Sequence, residues 1–278
     1  MRLGGPVFAD CSTPEGWIAG QKKHGYTAAY CPVGRDASEE VIQAFAKAAE
    51  AAGVVIAEVG AWSNPMSPNQ DERDKALANC QGQLALAEKI GARCCVNIAG
   101  SRGENWAGHH PLNLTEETFD LIVKTTQGII DAVKPTRTFY TLECMQWMYP
   151  DSAESYVRLV EAINRDGFAV HLDPTNLVNS AWRFYHTGDV IRECCAKLGP
   201  KVRSCHAKDA ALSQDSIIHL SEVRPGLGGL DYRTYLSELD KLDPDTPLMI
   251  EHLATEEEYA LAAEHIRTVA AEAGVIVR

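Results

Sequence analysis

Phe168-Ala169-Val170-His171-Leu172-Asp173 is a short run, apolar apart from one imidazole and a closing carboxylate. It predicts a buried strand that delivers a polar group at its end. The same design recurs on either side. Thr138-Phe139-Tyr140-Thr141-Leu142-Glu143 precedes it, and Val202-Arg203-Ser204-Cys205-His206 and Pro247-Leu248-Met249-Ile250-Glu251 follow. Working outward, β-rich or apolar runs lie near residues 3–9, 27–31, 54–61, 94–99, 138–144, 168–172, 202–207 and 248–253, eight in all. Between them, segments such as 38–52, 71–90, 115–133, 152–166 and 232–242 carry apolar residues at three- and four-residue spacing, which predicts amphipathic helices. Gly53, Gly91 and Gly167 stand where helices should end, and Ser38 and Ser152 suit N-caps.

Strands that alternate with helices pair in parallel, and eight such units predict a closed (β/α)8 barrel, a TIM barrel. The 278 residues divide into about 35 per unit, an ordinary length for a strand and its helix. No linker or composition shift divides the chain, so one domain over residues 1–278 is expected. An open dinucleotide-binding sheet is disfavoured. The glycine-rich run Pro225-Gly226-Leu227-Gly228-Gly229 follows no clear strand and misses the GxGxxG spacing.

At 45% hydrophobic and 23% charged, the chain has the composition of a globular protein with a substantial core. Its net charge of −12 opposes phosphate backbones, and no basic run longer than Lys22-Lys23 relieves it, so no nucleic-acid partner is expected. No stretch reaches the roughly 18 apolar residues of a membrane span, and the N-terminus lacks a signal-peptide core, so no membrane association is expected either. Nine cysteines without CxxC spacing suggest reduced core thiols and a cytoplasmic setting.

In a barrel of this kind the chemistry gathers where strands end. Four consecutive strands finish on Glu143, Asp173, His206 and Glu251. Three carboxylates at one mouth repel one another unless a cation sits among them. Three carboxylate oxygens and one imidazole nitrogen suit one hard or borderline octahedral ion, Mn2+ foremost, with Mg2+ or Co2+ also compatible. The alternation of strand side chains turns Tyr140, Leu142 and Leu172 away from the face that carries this set.

Other polar positions have two readings each. Glu58 suits either a hydrogen bond to a substrate hydroxyl or a brace across the barrel floor, and Trp62 either a lid over a sugar ring or ordinary loop packing. Asn97 lies late in its strand, ahead of a long loop with His109-His110. His171 points the same way as Asp173 and serves either behind the metal or as an interior histidine. Lys208 shares the parity of His206 and contacts either a substrate oxygen or a mouth carboxylate. Asn176 and Arg224 are loop candidates for substrate contact near the mouth, with a surface role the alternative.

Ala57-Glu58-Val59-Gly60, Leu142-Glu143, His171-Leu172-Asp173-Pro174-Thr175-Asn176, Cys205-His206-Ala207-Lys208-Asp209, Pro225-Gly226-Leu227-Gly228 and Ile250-Glu251-His252 together resemble the xylose-isomerase-like TIM barrels. That group includes sugar isomerases and epimerases, inosose dehydratases and AP endonuclease family 2 relatives. The resemblance implies a single Mn2+, Mg2+ or Co2+ held by Glu143, Asp173, His206 and Glu251. It also implies a carbohydrate substrate, with Glu143 and Glu251 as catalytic residues that move protons on opposite faces through a metal-stabilised enediolate. The expected activity is a sugar or keto-sugar isomerase or epimerase. The alternative is a lyase or dehydratase on a keto-inositol or keto-glycoside, and a non-catalytic sugar-binding barrel ranks lower. Asn176 stands where such epimerases often carry His, and Asn176 and Asn97 stand where imidazoles would help a three-metal endonuclease site, so DNA repair is disfavoured. By analogy, a homodimer or homotetramer is expected.

Overall fold

A computed structural model describes residues 1–278. Eight parallel strands close on themselves: β1 (Arg2–Gly4), β2 (Ala28–Tyr30), β3 (Val55–Gly60), β4 (Cys94–Asn97), β5 (Tyr140–Glu143), β6 (Phe168–Leu172), β7 (Val202–Ala207) and β10 (Pro247–Ile250). β1 seals the ring by pairing with β2 on one side and β10 on the other. Gly4 makes that closure possible. A Cβ there would stand 2.3 Å from the Ala28 carbonyl oxygen and 2.7 Å from Met249 Sδ, so a larger residue would force the strands apart.

The outer faces of the strands meet the helices in a continuous core that includes Leu142, Val170, Leu172, Tyr140 and Phe168. Each such leucine stabilises the fold by roughly 1.5–3 kcal/mol through apolar burial. α2 (Glu39–Ala52) begins at Ser38, whose hydroxyl accepts from the Val41 N–H, and ends at Gly53 with φ +67°. α3 (Gln70–Ile90) ends at Gly91 in the same left-handed geometry. α4 (Glu116–Val133) and α8 (Tyr232–Leu239) also occupy segments marked by apolar spacing.

α5 (Ala153–Ile163) is capped by Ser152 but stops at Asn164, left-handed at φ 44°, not at Gly167. Gly167 answers a different need: a Cβ there would lie 3.0 Å from both Ile130 Cγ2 and Pro135 Cγ. α1 (Pro14–His24), α6 (Ala181–Tyr185), α7 (Thr187–Leu198) and α9 (Glu256–Ala273) complete the helices. No helix is long and apolar enough to cross a membrane.

One element falls outside the eightfold pattern. β8 (Asp209–Leu212) and β9 (Leu220–Val223) form an antiparallel hairpin between β7 and α8. The glycine-rich run just after it wraps a carboxylate. Asp209 accepts from the backbone N–H groups of Ala210, Gly226, Gly228 and Leu230 at 2.8–3.1 Å. A Cβ at Gly228 would sit 2.2 Å from the Ala210 carbonyl oxygen.

Candidate metal centre

Glu143 ends β5, Asp173 follows β6, His206 lies in β7 and Glu251 follows β10. One donor atom from each falls within 4.8 Å of every other. His206 Nδ1 is the hub, 2.8 Å from Glu251 Oε1, 3.0 Å from Glu143 Oε1 and 3.8 Å from Asp173 Oδ2. Lys208 Nζ enters from two residues beyond His206, 2.6 Å from Glu251 Oε1, 2.9 Å from Asp173 Oδ2 and 3.4 Å from Glu143 Oε1.

Three of the four ligands are aimed by neighbours outside the cluster. Asp173 Oδ1 accepts from the N–H groups of Thr175 and Asn176 at 3.0 and 3.3 Å, which turns Oδ2 toward the cluster. Asn176 Nδ2 donates to Glu143 Oε1 at 3.0 Å. Behind the cluster, Glu58 Oε1 lies 3.3 Å from His206 Nε2, and Glu58 Oε2 lies 2.9 Å from His171 Nε2. The two imidazoles meet edge to face with centroids 4.1 Å apart. Glu58 thus takes Nε2 of His206 and leaves Nδ1 turned toward the three carboxylates, the orientation that a metal-ligating histidine needs.

The tyrosines behind the strands hold the backbone in place. Tyr156 Oη donates to the Leu142 carbonyl at 2.5 Å and accepts from the His171 N–H at 3.0 Å. Tyr235 Oη donates to the His206 carbonyl at 3.0 Å, and Tyr232 Oη to the Lys208 carbonyl at 2.7 Å. The helix periodicity marks these tyrosines only as core, so their part in the site is invisible in the sequence.

The charges explain the protonation of the group. Burial would lower the His206 pKa, but Glu251, Glu143 and Glu58 on its two sides raise it well above the ordinary histidine value. Burial would raise Glu143, yet His206 and Lys208 hold it well below the usual carboxylate range. Burial would also raise Glu58, but His206 and His171 bring it down to about 2. Asp173 goes the other way: burial, helped by Glu143 and Glu251 and opposed by Lys208 and His206, pushes it up to about 6. Lys208 stays charged, because Asp173, Glu143 and Glu251 outweigh its own burial.

The donor set fits a divalent cation. Asp173 Oδ2 and Glu251 Oε1 are buried and receive no aligned hydrogen bond, despite the nearby ammonium. These two carboxylate oxygens, a third carboxylate and an imidazole nitrogen form an oxygen-rich cage of the kind that hard or borderline divalent ions take.

The cage opens into a cavity of about 870 Å3, lined by Glu143, Lys208 and Glu251 at one end and by Trp62, Trp106 and Trp147 along its walls. Three expected substrate contacts, Trp62, Asn176 and Lys208, line it. Three do not. Glu58 lies one pleat deeper than the end of β3 and turns its carboxylate to the two histidines, the placement that the bracing reading expects. The Asn97 amide accepts from the Ser63 N–H and donates to the Ser63 carbonyl, tying down the loop after β3. Arg224 pairs with Glu258 at 2.9 Å, away from the cavity wall. His109 and His110 are absent from the lining too. Trp106 and Trp147, which no periodicity singles out, and Tyr30, His252 and Tyr259 belong to it.

The family model of xylose isomerase-like TIM barrels matches residues 21–269. The chain belongs to this family. Among solved members of the fold, endonuclease IV from Thermus thermophilus superposes with a TM-score of 0.71 at 17% identity, over 98% of this chain and 100% of that one. D-psicose 3-epimerase with D-tagatose from Clostridium cellulolyticum gives 0.70 at 14% identity, over 99% and 100%. A xylose isomerase-like TIM barrel protein from Mycobacterium smegmatis in complex with magnesium gives 0.66 at 17% identity, over 94% and 90%. At these identities the likeness establishes the shared barrel. Among curated protein sequences, none matches the chain significantly.

Proposed function

We propose that this barrel is a divalent-metal-dependent isomerase or epimerase acting on a sugar or keto-sugar. One observation carries the reading: the Glu143, Asp173, His206, Glu251 cage opens into the cavity, with both glutamates in its wall. The epimerase and the magnesium-bound barrel of the same fold support it. Mn2+ or Mg2+ fits the oxygen-rich set best, with Co2+ also compatible. When bound, such an ion supplies Lewis-acid polarisation of a carbonyl and so acidifies the adjacent C–H.

The protein's own groups do the rest. Glu143 and Glu251 come from strands on either side of β6 and β7 and meet across His206 Nδ1, so one carboxylate can take a proton from the carbon beside the carbonyl while the other returns one. Asn176 keeps Glu143 in position through its 3.0 Å hydrogen bond. Lys208 offers a fixed positive charge to the oxygen that gains negative charge as the proton leaves. Trp62 supplies an apolar surface for a sugar ring. Nine free cysteines fit a cytoplasmic protein.

Metal-loaded protein incubated with ketohexoses and 3-keto-glucosides in deuterated water tests the reading. Deuterium should enter the carbon next to the carbonyl, and Glu143→Gln and Glu251→Gln should each slow this at least about 100-fold. Exchange at wild-type rate in either variant would refute the assignment. Unchanged product mass with inverted configuration identifies the epimerase, whereas loss of water or an aglycone identifies the lyase.

A further inference from the structure

We infer that the natural substrate is a keto-glycoside, a sugar ring with one ring carbon at the ketone level and an apolar, ring-sized aglycone; this rests on the proton-transfer reading above and names the substrate class of that site. The cavity measures about 870 Å3. Cavities of roughly 300–1,000 Å3 take ligands of drug size, and a lone pyranose would occupy on the order of a quarter of this one.

The chemistry of the wall says what fills the remainder. Beyond the cage it includes Trp106, Trp147, Ile98, Val178 and Leu220, with Gln146, Ser221, Glu222 and His252 as polar neighbours. Of these polar groups Glu222 and His252 are paired with each other at 3.2 Å, which leaves Gln146 and Ser221. A second sugar would leave most of its hydroxyls unpaired against indole and aliphatic carbon. A flat apolar group would instead gain burial and ring stacking.

The tryptophans are built into place. Trp147 Nε1 donates to the Ala107 carbonyl at 2.8 Å, joining the loop after β5 to the loop that carries Trp106. Asn113 reinforces the joint by donating to the carbonyls of Trp147 and Gly108. Gly60 leaves room for the third indole, since a Cβ there would come within 2.3 Å of Trp62 Nε1. Trp62 and Trp106 nevertheless remain 45% and 41% exposed, an apolar area that a ligand in this cavity would cover.

The test compares glucose, galactose, mannose and fructose, each as free sugar, methyl glycoside and phenyl glycoside in both anomers, by calorimetric titration of the metal-loaded protein. Cellobiose is included as the polar two-ring control. At least one phenyl glycoside should bind tenfold or more tighter than its methyl counterpart and than cellobiose. Trp106→Ala, with metal content and circular dichroism as folding controls, should abolish that advantage. Phenyl and methyl glycosides binding alike, or not binding at all, would overturn the inference. Cellobiose binding as tightly as the best phenyl glycoside would do the same. Deuterium exchange into unsubstituted keto-sugars reports on the proton-transfer reading separately, so its failure and the failure of this inference are told apart.

Discussion

Lys208 Nζ lies among Glu143, Asp173 and Glu251, the same three carboxylates that a divalent ion would use. Ammonium and metal therefore compete for one negative cage, and removing the ammonium favours the metal. Lys208→Met should bind Mn2+ at least about tenfold more tightly by calorimetric titration, because one pKa-sized unit of charge interaction is about 1.4 kcal/mol. Equal or weaker binding would mean that the lysine and the ion do not share the cage. Glu58 acts on the opposite side of His206, where its carboxylate holds Nε2. Glu58→Gln should weaken Mn2+ binding roughly 10- to 100-fold, and unchanged affinity in the same titration would remove its orienting role. Glu143, Asp173, His206 and Glu251 were legible because each closes an apolar run at a corresponding place in its strand. Glu58, Asn97 and Arg224, expected as substrate contacts, lie outside the cavity lining, because residue type does not reveal whether a polar group faces His171, Ser63 or Glu258 instead.

Helix tyrosines secure three of the four ligand-bearing strands, Tyr156 on α5 holding β5 and β6 and Tyr235 on α8 holding β7. Tyr235 on α8 donates to the carbonyl of His206, and both residues are fully buried from solvent. Tyr235→Phe should lower unfolding stability by about 1–3 kcal/mol in urea titration, and a change below about 0.5 kcal/mol would show that the carbonyl finds another partner. The β8–β9 hairpin hangs on Asp209, whose carboxylate gathers four N–H groups, so Asp209→Ala should cost roughly 2–4 kcal/mol by the same measurement. Stability equal to wild type would contradict that account. The hairpin was missed because β8 continues almost directly from β7, and its only conspicuous signal was the glycine run that encloses Asp209. Gly167 was misread for a related reason: a glycine needed for close approach to Pro135 looks the same in sequence as one needed for a left-handed cap.

Across the whole molecule the eightfold order was legible because helix and strand periodicities alternate regularly and parallel pairing leaves little freedom in how they assemble. The cavity was not, because its tryptophans lie in loops, where no periodicity marks which residues will meet. The same long-range joins make stability pH-dependent away from the site. Glu88 on α3 accepts from the Thr136 hydroxyl and from the N–H groups of Thr136, Arg137 and Thr138 at the approach to β5. Its slight burial would raise the pKa, but these hydrogen bonds outweigh it and lower the value. A lowered folded-state pKa means stabilisation that is fully present above the ordinary glutamate range and lost as pH falls through the lowered value. The Tm advantage of wild type over Glu88→Gln should therefore shrink between about pH 6 and pH 3, and a constant difference would exclude the charge as its source. The most direct test of the metal centre is elemental analysis of protein purified without chelators, wild type beside Glu143→Gln and His206→Ala. About one equivalent of Mn, Mg or Co per chain, lost in both variants, is the predicted result. A wild-type protein that holds no metal even after incubation with Mn2+ would contradict the account.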